Sequence, residues 1–259
     1  MDDTYQVYLN RVVRQTLPEK YLSALQHIKE SPKFKPDRTG NRKPVSFPGY
    51  SVITPTGEND LKNTEFRKHL QECQTQLLQE MPSDLLVPLP PDSFHFTLAD
   101  LIWDGAYEQA IAIPNREAEL QDRIADSFAQ CDHLITGKPI YWQVVGIMVS
   151  NRSIGVLLVP VDEQSYDRIV QLRRAIYQNQ GLIALGIEQQ YHFTGHITLA
   201  YFGQIPDSLD RDRLSHQLTE FNNQWMDNPQ KILVERAELR KFEEMTEYTR
   251  ELDWPVFTF

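Results

Sequence analysis

Ser93-Phe94-His95-Phe96-Thr97-Leu98 and Gly195-His196-Ile197-Thr198-Leu199 decide the reading of this chain. Each sets a His and a Thr two residues apart inside an alternating apolar run, the pattern of a half-buried β-strand. On a strand, side chains two apart share a face and sit roughly 7 Å from each other. Each run therefore presents an imidazole beside a hydroxyl, with Phe96 or Ile197 turned to the core. Two such strands brought together surround a small anion with two imidazoles and two hydroxyls. That set suits acid–base chemistry on a phosphate.

The chain has seven histidines and a third His-x-Thr pair at His192 and Thr194. His196 is preferred over His192 because the run from 197 to 202 continues as a strand and Leu199 repeats Leu98. His192 is then expected to line the groove. Phe202 shares strand parity with His196 and Thr198, so its ring is expected to face the groove too. Tyr201 and Trp103 are further candidates for stacking a nucleobase, against the alternative that all three rings are core. Tyr248, in a turn and edge over 241–248, can also contact a substrate.

The spacing His192-x-x-x-His196 superficially resembles a zinc site. That motif needs a helix and a Glu after the first His, where this chain has Phe193. On a strand four residues span about 13 Å, too far for one metal. No metal and no cofactor is expected, although a metal-dependent hydrolase built on His95, Asp100 and His196 is a competing reading.

Outward from the two motifs, the order of elements repeats. A helical lead-in over 4–27 and a polar stretch to residue 43 come first. Then follow a strand over 49–54, a helix over 63–79, the His95 strand, a helix over 116–131 and a strand over 141–149. The second half repeats this: strand 153–159, helix 163–178, the His196 strand within 191–202, helix 207–222 with Asp207 or Ser208 as N-cap, and strand 232–239. The expected fold is α+β: a duplicated, bilobal chain with two sheets and flanking helices around a central groove carrying the two His-x-Thr strands. Residues 1–43 form an N-terminal extension, and 44–259 one domain with lobes of about 44–150 and 151–259.

At 259 residues the chain can bury a sizeable core. Its 36 acidic against 26 basic residues give a net charge of −10, which argues against wrapping duplex nucleic acid. A small nucleotide, or the end of an RNA, needs few contacts and stays open as a partner. Cys73 and Cys131 have no metal spacing and read as reduced, structural residues. The start is acidic with no apolar leader, and no run is long enough to span a bilayer, so a cytoplasmic protein that does not enter a membrane is expected. The oligomeric state is not legible.

Paired His-x-Thr strands about a hundred residues apart in a duplicated α+β chain resemble the 2H phosphoesterase superfamily, which includes 2′-5′ RNA ligase-like proteins and cyclic nucleotide phosphodiesterases. The segment from Arg42 to Gly49 also resembles the entry to the first strand in a poorly characterised bacterial subgroup. The resemblance covers roughly residue 49 to the C-terminus. It implies metal-independent phosphodiester hydrolysis, with His95 and His196 catalytic and Thr97 and Thr198 holding phosphate oxygens. The chain departs in its extra His192/Thr194 pair and in lacking a basic cluster beside either motif. A non-catalytic nucleotide or RNA-end binding module on the same fold is the alternative.

Overall fold

A computed structural model describes residues 2–57 and 61–259. Two helices open the chain, α1 (Tyr5–Val13) and α2 (Pro18–Leu25). The helical pattern over 4–27 is broken because Leu17 is extended and Pro18, lacking an N–H, can only begin a new helix. Thr4 caps α1 by accepting from Val7 N. A ribbon of β1 (Phe34–Pro36) and β2 (Arg42–Pro44) follows.

The remaining elements are β3 (Gly49–Pro55), α3 (Thr64–Glu80), β4 (Leu86–Pro88), β5 (His95–Trp103), α4 (Asp104–Ile111) and α5 (Arg116–Ala129). Then come β6 (Tyr141–Val149), β7 (Ser153–Pro160), α6 (Glu163–Tyr177), α7 (Gln180–Ala184), β8 (His196–Phe202) and α8 (Arg211–Met226). Four strands close the chain: β9 (Lys231–Leu233), β10 (Arg236–Glu244), β11 (Glu247–Thr249) and β12 (Val256–Thr258). The cap of α8 is Asp210, which accepts from Arg213 N at 2.9 Å, and not Asp207 or Ser208.

The fold is α+β, with two five-stranded antiparallel sheets. One runs β11-β10-β3-β5, with β12 also on β10; the other runs β4-β8-β7-β6-β9. The two His-x-Thr strands, β5 and β8, belong to different sheets and meet between them. The sheets do not divide the chain at residue 150. β6, from the first half, pairs with β7, while β10, from the second half, pairs with β3. The single strand expected over 232–239 is two strands, because Val234 and Glu235 carry the chain from one sheet to the other.

Residues 1–43 are not an appendage. Tyr8, Val12, Tyr21 and Leu25, at i and i+4 on their helices, are buried in the same continuous core as both sheets. Tyr8 OH donates to Leu158 O at 2.8 Å and accepts from Gly195 N at 2.9 Å, while Tyr21 OH donates to Ile147 O at 3.0 Å. No helix among the described residues is long and apolar enough to cross a membrane.

Candidate active site

The two motif strands are alike beyond His-x-Thr. His95-Phe96-Thr97-Leu98-Ala99 and His196-Ile197-Thr198-Leu199-Ala200 match at four of five positions and share one burial pattern. Each bulges at its Leu. The register with β3 passes from Thr97 to Ala99, and the register with β7 passes from Thr198 to Ala200. A bulge adds one residue and reverses the strand's parity beyond it. His and Thr therefore face the cavity, and so do Asp100 and Tyr201, three residues beyond the threonines.

The carbonyl at each bulge accepts from a helix side chain. On β5, Leu98 O accepts from Nη1 of Arg173, a buried residue of α6. On β8, Leu199 O accepts from Leu89 N at 3.0 Å and also from Nε2 of Gln74, a buried residue of α3, at 2.8 Å. The same Gln74 amide donates to Leu89 O at 2.8 Å. Each bulge is thus held by a long polar side chain from a helix.

The imidazoles are oriented alike. Nδ1–H of His95 donates to Ser93 O at 2.7 Å, and Nδ1–H of His196 to Thr194 O at 2.8 Å. A carbonyl can only accept, so each contact fixes the proton on Nδ1 and leaves Nε2 for the cavity. The Thr97 and Thr198 hydroxyls have no partner within the protein among the described residues and are free to donate to an oxyanion. All four side chains line one cavity of about 440 Å³.

The two histidines differ in surroundings. The Tyr248 ring lies 4.1 Å from that of His95, centroid to centroid. Tyr248 is itself held by Arg240, whose Nη1 donates to its carbonyl at 2.8 Å. Arg240 and Arg236 both pair with buried Glu238 and face a second cavity of about 210 Å³ behind His95. Burial pushes the His95 pKa down to about 4, with the charges of His196 and Arg240 acting in the same direction; Ser93 O and Asp100 oppose it. His95 is therefore neutral at pH 7.

Tyr201 and Trp103 line the cavity. Phe202 does not: the bulge at Leu199 turns it into the core, where it is 2% exposed. His192 does not line the cavity either. The run 192–195 is not strand, and exposed His192 lies with Nδ1 3.4 Å from Asp3 Oδ1. Its partner Thr194 accepts from Arg11 Nη1 at 2.8 Å, so the third His-x-Thr pair serves to dock α1. Among the described residues, no three His, Cys, Asp or Glu side chains are grouped to hold a metal.

Several lining residues come from segments with no periodic signal. Lys33 and Phe47 flank the β1–β2 ribbon, Tyr191 lies in the loop before β8, and Phe242 and Met245 come from the β10–β11 hairpin. Tyr191 OH donates to Asp100 Oδ2. One signal was available: Leu98-Ala99 and Leu199-Ala200 extend the repeat past the threonines, which marks the following Asp100 and Tyr201 as equivalent positions.

The fold is similar to that of a conserved protein of unknown function from Agrobacterium tumefaciens, with a TM-score of 0.60 at 14% identity over 89% of this chain and 96% of that one. Two other solved structures align with lower scores. One is a phosphoesterase, at TM-score 0.42 and 17% identity over 83% of this chain and 99% of that one. The other is Escherichia coli LigT complexed with 3′-AMP, at 0.41 and 16% over 83% of this chain and 98% of that one. No protein-family model and no curated protein matches the chain.

Proposed function

We propose that the chain is a phosphodiesterase that hydrolyses a cyclic phosphate or 2′-5′-type diester in a nucleotide or RNA end by two-histidine acid–base catalysis. One observation carries this reading: two equivalent strands present His and Thr to a single cavity, each imidazole held through Nδ1 by the carbonyl two residues before it. The likeness of the motif strands to those of 2H phosphoesterases agrees with it.

In this reading His95, neutral at working pH, is the general base. Its Nε2 takes a proton from water as the water oxygen bonds to phosphorus, and His196 Nε2–H gives a proton to the sugar oxygen as its bond to phosphorus breaks. The pair ends with His95 protonated and His196 neutral, and exchange with solvent resets it. The Thr97 and Thr198 hydroxyls donate to the non-bridging oxygens as charge builds on them. Trp103 and Tyr201 offer faces for the nucleobase.

The test is turnover of 2′,3′-cyclic nucleotides in the presence of EDTA. The wild type should form product, and His95→Ala and His196→Ala should each lose at least about 100-fold in kcat, the usual scale of one acid or base. Unchanged turnover in either variant would sink the mechanism. Tight nucleotide binding with no product would assign the cavity to a binding module.

A further inference from the structure

The segment that includes the β1–β2 ribbon bridges the two sheets and carries a cation that the acid–base chemistry does not use. Lys29 N donates to Asn151 O at 2.7 Å and Ser31 N to Phe202 O at 2.8 Å, which anchors one end on the second sheet. Val45 N donates to Lys33 O at 3.0 Å, and Phe47 N donates to Glu243 O at 2.9 Å on the first sheet. Lys33 is thereby fixed at the cavity wall.

The Lys33 ammonium sits 4.2 Å from the centroid of the Phe47 ring and 5.1 Å from that of Tyr201. Its polar contacts are Tyr201 OH at 3.4 Å and Met245 Sδ at 3.2 Å. It forms no ion pair among the described residues, and the carboxylates of Asp100 and Asp104 act on it only from beyond contact. Burial pushes its pKa down to about 8. A lysine with a merely structural role extends its ammonium to water or to a carboxylate. Here the charge is turned inward among rings and a thioether, where an anion from outside the protein is the missing partner.

The position of Lys33 separates its anion from the scissile phosphate. Tyr201, which the ammonium touches, lies beyond Thr198 on β8, and with one residue absorbed by the bulge it stands roughly 7 Å further along the wall. Oxyanions at the His/Thr pairs and at Lys33 would therefore stand roughly 7 Å apart, as the 5′-phosphate and the 2′,3′-phosphate of one nucleotide can.

We propose that Lys33 forms a subsite for a second phosphate, so that the cavity takes a nucleotide bearing a terminal phosphate beside the reacting diester in preference to a bare cyclic nucleoside monophosphate. Its kinetic arm rests on the phosphodiesterase reading; its binding arm does not.

The experiment compares adenosine 2′,3′-cyclic phosphate with its 5′-phosphorylated counterpart in the wild type, Lys33→Met and Lys33→Arg. The wild type should favour the 5′-phosphorylated ester by at least about tenfold in kcat/KM, the scale of one charge-assisted contact. In Lys33→Met that ratio should fall to near one, and in Lys33→Arg it should persist. Equal kcat/KM for the two esters in the wild type, or a preference that survives Lys33→Met, overturns the proposal. Calorimetry with adenosine 3′-phosphate and adenosine 3′,5′-bisphosphate reads the subsite without turnover. If neither ester reacts but the bisphosphate binds about tenfold tighter through Lys33, the subsite stands and the catalytic reading falls. Equal binding of the two overturns the subsite whatever the turnover. Lys33→Met places a thioether chain among Phe47, Tyr201 and Met245, so it should melt no lower than the wild type, which separates lost recognition from lost folding.

Discussion

The same tripeptide pattern gives two histidines of different character, and the difference lies in what packs on them. Tyr248 lies on His95, and no aromatic ring packs on His196 among the described residues. With its pKa near 4 against an ordinary value of about 6.5, His95 is disfavoured as a cation in the folded protein. The sign follows directly. His95 supports folding fully above about pH 6.5, and that support is lost as pH falls toward 4. As a base it is competent wherever it is neutral, so the acid limb of kcat/KM should lie near pH 4. Tyr248→Ala admits water to the ring and should move that limb upward toward about 6.5. A pH profile of kcat/KM for the two proteins checks this; an unmoved limb would mean that Tyr248 does not set the titration of His95. The motif itself is fully legible in the sequence. The inequality of its two copies is not, because Tyr248 reaches His95 only through tertiary packing.

At the level of the strand, one extra residue decides which side chains reach the ligand. Period-two reading is right from His196 to Thr198 and wrong beyond Leu199, where the bulge exchanges Phe202 for Tyr201. Long, patterned elements such as α3, α6 and β7 leave clear traces in the sequence. The three-residue strands β1, β2, β4, β9, β11 and β12 leave none, since a pattern needs more than one period. The bulge on β8 also makes a demand on its neighbour. A Cβ on Gly155 of β7 would lie 2.1 Å from Ile197 O and 2.9 Å from Thr198 Cα, both backbone atoms that cannot swing aside. Gly155→Ala should therefore push β8 outward at Thr198, costing about 1–3 kcal/mol of stability and more than about tenfold in kcat. Gly105, in α4, has nothing within 4 Å of the place a Cβ would take, so Gly105→Ala should be neutral or stabilising by about 0.4–1 kcal/mol. Thermal melts and steady-state kinetics on the pair check the contrast. Equal behaviour of the two would show that β7 and β8 yield to the added methyl.

Across the whole molecule, strand exchange accounts for what element order leaves out. The repeated strand–helix–strand order is visible in the sequence, but which sheet a strand joins depends on pairing between distant segments, which no local pattern records. β6 and β10 each cross to the other half's sheet, α3 and α6 hold the bulges of strands in different sheets, and α1 anchors the loop before His196. A chain cut between residues 150 and 151 therefore gives two fragments with incomplete sheets. The first keeps β3 and β5 without β10, and the second keeps β7 and β8 without β6 or β4. Each fragment exposes long, apolar strand edges, so neither should fold alone. Mixed, they should regain both sheets and, because His95 and His196 lie on different fragments, only the complex should hold the complete His/Thr set. The measurement is circular dichroism and nucleotide binding of fragments 1–150 and 151–259, separately and at equal concentration. Folding of either fragment alone would show that one sheet is self-sufficient. Recovery of structure and binding only on mixing would show that the cavity is assembled by strand exchange.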